Sequence, residues 1–260
     1  MWTYKEDDTP GVLTARDHVA GAHSGQGGLK LPNTAVLFYM GKAVEYLTTT
    51  RECTLLTEKL PRFLYGCPVW ALGEGVCFLD GGRGAPQAAD TLETLAVLGV
   101  KRVFTVGMCG AFSQKVEVGE VIVPDRAFVE EGASLHYYER IESACPDGAL
   151  FDCLRSMPGA KVFPIVTTDA VYRQTFFKER LWREKGAVGV DMETSALFSV
   201  GRYLGLQVAS ALMVSDRHPE SPDAPRWQWH MTDEMRRSLV DRALEAVLKD
   251  AEVPACTGSS

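Results

Sequence analysis

Two carboxylates stand two residues apart in the stretch GAVGVDMETSALFSVGRYLG, at residues 186–205. The stretch runs from a short apolar segment into one rich in small residues, which is typical of a strand followed by a helix. An acid at that junction often only caps the free N–H groups of the helix, and Asp191 fits this role as well as a chemical one. Glu193 has no partner close in sequence, so it is the stronger candidate for a reaction.

A third acid, Asp216, ends the apolar segment QVASALMVSD, and we expect the neighbouring Arg217 to pair with it. Two glycine-rich stretches, LDGGRGAPQ at 79–87 and TVGMCGAF at 105–112, follow other apolar segments and are predicted to be turns. Glycine lets a ligand approach the backbone, and a helix N-terminus favours an anion. If the ends of these apolar segments meet at one edge of a sheet, they form a pocket that contains two or three acids. Such a pocket favours an enzyme site over a chance arrangement.

These side chains need a framework, and the rest of the chain predicts an α/β fold. Several apolar segments are nearly continuous in Val, Ile, Leu and Phe, as in strands buried on both faces. Helical spacing of apolar residues lies between them, for example in PQAADTLETLAVLG and TDEMRRSLVDRALEAVLKD. The alternation predicts a single domain with a twisted, largely parallel mixed central sheet flanked by helices. Ligands of such folds bind at the carboxyl ends of the strands.

Length and composition limit the function classes. The 260 residues are 46% hydrophobic and 23% charged, as in globular proteins. A net charge of −7 argues against nucleic-acid binding, and no apolar run is long enough to span a membrane. Seven scattered cysteines without a CxxC pair indicate reduced thiols and a cytoplasmic location. We predict an irregular segment over residues 1–32, the α/β domain over 33–250 and a disordered tail over 251–260.

Four stretches occur in a recognisable order: GGRGAPQAADTLETLAVLGVKRVFTVGMCGAF, VEVGEVIVPDRAFVEEGASLHYY, GVDMETSALFSVGRYLG and MVSD. In order and spacing they resemble the nucleoside phosphorylase family, which includes hexameric purine nucleoside phosphorylase and uridine phosphorylase. The resemblance implies a nucleoside phosphorylase-like α/β domain and a small-molecule nucleoside substrate. It also implies a homo-oligomer, a dimer or hexamer, whose neighbouring subunits share sites.

The resemblance also implies roles for individual residues. Glu193 would bind the 2′ and 3′ hydroxyls of ribose and favour the positive charge that develops on the sugar, with Met192 packed against the sugar face. Asp216 would protonate N7 of a leaving purine as general acid. His23 has the spacing of the family's histidine that reaches a neighbour's 5′-hydroxyl, although an exposed loop histidine is an equal interpretation. The base-binding residues would be Val171, Val190, Asp191 and Asp216.

The phosphate site departs from the family pattern. Arg62 matches the family's subunit-crossing arginine, but Tyr39 and Ala43 stand where the family has glycine and arginine. Thr105 and Met108 replace an arginine and a small hydroxyl residue. Two lost guanidinium contacts cost several kcal/mol, at about 1.5–3 kcal/mol each, and Tyr39 and Met108 have the size to fill the phosphate cavity. The predicted phosphate-binding residues are Arg62, Thr105, Gly107 and Met108.

The sequence is compatible with three functions. Phosphorolysis of a purine-type nucleoside to free base and ribose 1-phosphate is favoured. Hydrolysis, as in the related methylthioadenosine and adenosylhomocysteine nucleosidases, and nucleoside binding without catalysis are the alternatives. We expect no metal and no cofactor apart from phosphate as co-substrate. The aromatic stretch WQWH at 227–230 is interpreted as a loop or helix-start cluster at a subunit contact rather than as a base-binding element.

Overall fold

A computed structural model describes residues 9–21 and 28–252 of the chain. Within these ranges thirteen strands join in one mixed sheet. The strands are β1 (Thr34–Phe38), β2 (Thr54–Thr57), β3 (Val69–Leu72), β4 (Val76–Asp80), β5 (Arg102–Ala111), β6 (Val121–Val123), β7 (Ala127–Glu130), β8 (Ser143–Ala144), β9 (Ala160–Val162), β10 (Ile165–Thr168), β11 (Gly189–Asp191), β12 (Gln207–Arg217) and β13 (Gln228–Trp229).

Seven α-helices lie between the strands in the described part of the chain. They are α1 (Ala15–Ala20), α2 (Ala43–Thr50), α3 (Ala85–Val97), α4 (Gly148–Arg155), α5 (Phe176–Glu184), α6 (Thr194–Tyr203) and α7 (Asp233–Glu252). None of the described helices is long and apolar enough to cross a membrane.

The centre of the sheet is parallel and buried. Strand β5 lies between β1 and β12 and pairs in parallel with both. The side chains of β1 are all buried, which explains the nearly continuous apolar sequence TAVLF. Helices α1, α3 and α6 pack in a cluster on one face, and α2, α4 and α7 pack on the other. The predicted α/β architecture with a largely parallel mixed sheet is therefore confirmed.

Strand β12 carries a β-bulge close to its end. Val214 pairs with Cys109 and Asp216 pairs with Gly110, so Ser215 is one extra residue opposite β5. A bulge of this kind re-aims the side chains that follow it. Strand β13 then returns antiparallel to β12 and pairs with its last two residues.

The structure differs from the sequence prediction in two segments. Residues 105–112 were predicted as a turn, but Thr105–Ala111 continue β5. Strand β12 pairs along this stretch on one side, and on the other side β1 pairs with its first residues and β11 with its last. Residues 15–20, within the segment predicted as irregular, form α1, whose first turn is capped by the Thr14 side chain. At the other end α7 extends to Glu252, two residues into the predicted tail.

Candidate active site

The ends of β5, β11 and β12 enclose a cavity of about 280 Å³. It brings together most of the residues to which the sequence assigned a ribose or base role. These lining residues are Val171, Val190, Asp191, Met192, Glu193 and Asp216, and Met108 of the predicted phosphate set lines the cavity as well. Arg62, Thr105 and Gly107 do not line it, and His23 lies outside the described residues. The strand-end rule predicted that these residues would meet at one edge of the sheet, and they line one cavity there.

Asp191 connects three elements at the floor of this cavity. Its Oδ1 accepts a hydrogen bond from the Thr167 hydroxyl of β10 at 2.6 Å, and its Oδ2 accepts one from the Thr194 backbone N–H of α6 at 3.0 Å. The Thr194 hydroxyl also donates to Oδ2. Asp191 thus caps the start of α6, the structural one of its two possible roles. Burial raises the pKa of this carboxyl, and the hydrogen bonds from Thr167 and Thr194 oppose that effect.

Glu193 is the buried carboxylate at the entrance to α6. Its Oε1 accepts a hydrogen bond from the Gly84 backbone N–H at 2.7 Å, so it connects the glycine-rich loop before α3 to α6. Only 8% of the residue is exposed. Burial raises its pKa, the charge of Asp191 raises it further, and the Gly84 N–H and the Arg83 charge oppose the shift. A bound ligand with hydroxyl donors would stabilise the ionised form that burial disfavours.

Asp216 faces the cavity directly after the bulge. The Ser215 hydroxyl lies within hydrogen-bond distance of its Oδ1, and the Trp227 indole N–H donates to its Oδ2 at 2.6 Å. The predicted pairing of Arg217 with Asp216 is wrong, since Arg217 binds both carboxylate oxygens of Glu117 at 2.9 Å. The reason is strand alternation, because consecutive residues of β12 point to opposite faces of the sheet.

The same alternation places His218 beside Asp216, and the sequence analysis missed it. His218 Nε2 lies 3.5 Å from Asp216 Oδ2, and His218 Nδ1 lies 2.6 Å from Oε1 of Glu179 on α5. Glu179 is 5% exposed. The two-residue spacing of Asp216 and His218 is a signal that the sequence does contain. Nothing close in sequence points to Glu179.

The tryptophans of the WQWH stretch also belong to this cavity. Trp227 and Trp229 both line it, and their ring centroids are 6.4 Å apart. The antiparallel pairing of β13 with the end of β12 places Trp229 opposite Asp216, and Trp227 comes directly before β13. The expectation that these rings do not belong to the base-binding region is therefore not supported by their position.

The residues predicted to hold phosphate have other partners. Arg62 is 3% exposed and donates to the Asp80 carbonyl at 3.0 Å, to the Thr91 hydroxyl at 2.9 Å and to the Tyr65 carbonyl. The Thr105 hydroxyl lies 2.5 Å from that of Ser210 on β12, inside the sheet. Gly107 is a strand residue packed near Leu212 and Tyr39. Of the predicted set, Met108 alone reaches the cavity.

Tyr39 covers the glycine-rich loop where an anion would approach it. A Cβ built on Gly81 would lie 2.4 Å from Tyr39 Cζ, so the ring fills the space above this glycine. The loop's N–H groups already have acceptors in the chain itself. Those of Gly81, Gly82, Arg83 and Gly84 donate to Phe38 O, Asp80 Oδ1, Gln87 Oε1 and Glu193 Oε1, respectively.

The Tyr39 hydroxyl is buried and, among the residues that the structure describes, has no hydrogen-bond partner. Burial raises the pKa of this phenol well above its usual value, and the charge of Glu193 raises it further. The group therefore stays neutral and can both donate and accept one hydrogen bond. Within residues 9–21 and 28–252, no cluster of three His, Cys, Asp or Glu side chains is arranged to hold a metal ion.

Comparison with known proteins gives a consistent result. The sequence profile of the phosphorylase superfamily matches residues 34–249. The chain is 31% identical to a guanosine phosphorylase of Halorubrum lacusprofundi over 150 residues, which are 55% of this chain and 61% of that protein. It is 26% identical to a uridine phosphorylase of Haemophilus influenzae over 228 residues, 78% of this chain and 84% of the relative.

Two further similarities extend the pattern. A DeoD-type purine nucleoside phosphorylase of Clostridium novyi is 27% identical over 164 residues, 60% of this chain and 70% of that one. The crystal structure of an AMP nucleosidase from Bacteroides thetaiotaomicron superposes with a TM-score of 0.67 at 20% identity, over 86% of this chain and 91% of the other. At that identity the likeness shows a shared fold.

Proposed function

The chain belongs to the phosphorylase superfamily, and on that premise we propose that it cleaves the N-glycosidic bond of a purine nucleoside. The observation that carries the proposal is the pair of buried acids, Glu193 and Asp216, on the walls of one cavity. A site that only bound a nucleoside would need no buried proton donor beside the base.

Glu193 and Asp216 have complementary roles in this reaction. As the bond from C1′ to the base breaks, the ribose gains oxocarbenium-like charge, which the Glu193 carboxylate stabilises while it holds the 2′ and 3′ hydroxyls. Asp216 gives a proton to N7, so the base leaves without negative charge. Met192 lines the same cavity and would pack against the sugar. Val171 and Val190 contact the base, together with the tryptophans at 227 and 229.

Phosphate is the nucleophile that the family relationship supports, since guanosine, uridine and purine nucleoside phosphorylases are all among the relatives. The products would then be free base and ribose 1-phosphate, with phosphate as co-substrate and no further cofactor. The cationic side chain that lines the cavity and could hold phosphate is Arg83, and the uncharged Met108 side chain lines the same cavity. The Arg83 side chain is half-exposed, and one of its guanidinium nitrogens forms an exposed ion pair with Oδ1 of Asp80 at 3.2 Å.

Hydrolysis is the second candidate, and one observation favours it. The Tyr39 ring covers Gly81, and the N–H groups of the glycine-rich loop before α3 are bound within the chain, so this loop is not open to phosphate. The buried Tyr39 hydroxyl would then hold a water molecule beside the sugar. The fold shared with an AMP nucleosidase is compatible with this alternative.

The decisive experiment is an assay of base release from guanosine, adenosine and uridine, with and without inorganic phosphate. We expect release from the purine nucleosides that requires phosphate, and loss of most of it in Glu193→Ala. Release that does not need phosphate would establish hydrolysis instead. Binding of nucleosides without any release would overturn the proposed function in favour of a non-catalytic protein.

We also propose that the chain forms a homo-oligomer, a dimer or hexamer. Support comes from a surface segment in which Phe63, Leu64 and Tyr65 are 64%, 53% and 74% exposed. Consecutive exposed apolar side chains are unusual on a monomer and typical of subunit contacts. The cytoplasmic location and a role in nucleoside salvage stay predictions, which cell fractionation and growth on nucleosides would test.

A further inference from the structure

We propose that His218, held by Glu179, is a positioning residue that relays a proton to Asp216 during turnover. The inference rests on the proposed function, because a relay is needed only if Asp216 protonates a leaving base. It gives a role to Glu179 and His218, which have none in the glycosidic bond cleavage described above.

The three side chains form a continuous row from α5 to the end of β12. Glu179 Oε1 lies 2.6 Å from His218 Nδ1, and His218 Nε2 lies 3.5 Å from Asp216 Oδ2. The side chains of Glu179, His218 and Asp216 are 7%, 15% and 6% exposed. A carboxylate oxygen accepts hydrogen bonds, so the contact with Glu179 Oε1 favours a proton on His218 Nδ1, and Nε2 is then directed toward Asp216.

The other neighbours of Asp216 cannot supply a proton near neutral pH. The Ser215 hydroxyl and the Trp227 indole donate hydrogen bonds to it but are not acids in that range. Burial raises the pKa of the Cys109 thiol well above its usual value, and the charges of Asp191 and Asp216 add to that effect. Imidazole is the side chain whose protonation ordinarily changes in this range.

His218 also connects the buried acid to the surface. It lines the base cavity together with Asp216, and it lines a second, open cavity of about 540 Å³ formed by the loop that leads to β13. Arg183 of α5 lies 3.8 Å from Glu179 Oε2 and donates a hydrogen bond to the Phe112 carbonyl at 2.7 Å. A proton can therefore enter from the open cavity through the imidazole and reach Asp216.

The proton transfer balances in two steps. First, Asp216 gives its proton to N7 as the bond from C1′ to N9 breaks, the electron pair passes to the base, and the nucleophile oxygen bonds to C1′. Second, the His218 imidazolium gives its Nε2 proton to the Asp216 carboxylate and becomes neutral imidazole, still donating from Nδ1 to Glu179. A proton from the open cavity then restores the imidazolium.

His218 and Asp216 both pack closely against the backbone of Gly110. A Cβ at this position would lie 2.5 Å from His218 Nε2 and 3.1 Å from Asp216 Oδ2. Only a glycine leaves room for the imidazole to approach the carboxylate here. An apo separation of 3.5 Å is compatible with a relay, because catalytic hydrogen bonds often shorten when substrate binds.

The test compares two substrates with His218→Gln and Glu179→Gln. Guanosine needs a proton on N7, whereas the base of 7-methylguanosine is already cationic and leaves without one. We expect kcat/KM for guanosine to fall by roughly 10²-fold in both variants, the usual size of a general acid–base contribution. The value for 7-methylguanosine should stay within about threefold of wild type, which is small beside that contribution. Glu184→Gln, an exposed change on the same helix, is the matched control and should alter neither value.

Equal losses with both substrates would mean a purely structural role and would overturn the relay, as would no loss with either. If wild type does not accept the methylated nucleoside, the pH profile decides. The wild-type profile of kcat/KM for guanosine against pH should have a descending limb at rising pH, and His218→Gln should lack that limb. An unchanged profile overturns the relay. Wild type that releases no base from guanosine would instead overturn the proposed function, and the relay with it.

Discussion

At the scale of single residues, Asp191 and Glu193 show how two acids of one short segment can have different surroundings. Asp191 receives hydrogen bonds from Thr167 and from Thr194, which fixes the junction of β11 with α6. Glu193 receives one from Gly84 N–H and is otherwise directed into the cavity. Two carboxylates so close together and so deeply buried disfavour simultaneous ionisation.

This arrangement predicts a characteristic dependence of stability on pH. The native pKa of Glu193 is raised above the ordinary value of about 4.5, so the folded state binds a proton that the unfolded state releases in the interval between these values. The contribution of protonated Glu193 to the free energy of unfolding is complete below about pH 4.5 and is lost as pH rises through the native pKa of Glu193. We therefore expect Glu193→Gln to gain free energy of unfolding relative to wild type as pH rises.

Urea unfolding at about pH 5 and about pH 8 measures this difference directly. Glu184→Gln serves as the control, because Glu184 is exposed and its removal should leave the wild-type pH dependence unchanged. A difference between Glu193→Gln and wild type that is the same at both pH values would contradict the assigned shift.

At the scale of elements, two glycines lie where a side chain that follows another strand packs closely against the backbone. A Cβ on Gly81, which follows β4, would meet the Tyr39 ring, and one on Gly110 of β5 would meet His218. Glycine inside a strand often indicates such a close approach. The glycines of TVGMCGAF were interpreted as turn residues for want of this information, since the crowding side chains come from distant parts of the sequence.

The packing of Tyr39 on Gly81 predicts a specific cost. Gly81→Ala places a methyl group 2.4 Å from the buried ring, so we expect a loss of about 1–3 kcal/mol in free energy of unfolding. Gly75→Ala, where a Cβ would have open space, should cost much less. In the background of Tyr39→Ala the substitution at Gly81 should cost little, and a double-mutant cycle by denaturant unfolding measures that coupling. Additive losses would contradict the contact.

The sequence was sufficient for the main elements and for part of the site. Continuous apolar segments predicted β1, β5 and β12, and the acids at the ends of β11 and β12 were found because strand ends meet at one edge. His218, Glu179 and Trp227 were missed. Their roles depend on α5 and β13 packing beside β12, a tertiary arrangement that no local pattern encodes.

At the scale of the whole molecule, the exposed apolar segment next to α3 predicts self-association. The backbone N–H groups of Phe63 and Leu64 are held by Asp90 of α3, so the segment has a defined conformation and presents its apolar side chains outward. We expect an oligomer by sedimentation velocity, and dissociation in Leu64→Arg because a buried unpaired charge is costly.

Val162→Arg, at an exposed apolar position on β9, is the matched control and should leave the oligomer intact. A wild-type protein that sediments as a monomer over a wide concentration range would contradict this prediction. Dissociation caused equally by both changes would point to another surface as the subunit contact.

The contact between Tyr39 and Gly81 also limits the order in which substitutions can accumulate. A chain with a side chain at position 81 has no room for a tyrosine ring at position 39, whereas glycine at 81 tolerates either a large or a small residue there. A tyrosine at position 39 therefore requires a glycine at position 81. While the tyrosine is present, the glycine cannot be replaced without a loss of stability. The tyrosine that covers the glycine-rich loop must therefore be replaced before the glycine can be.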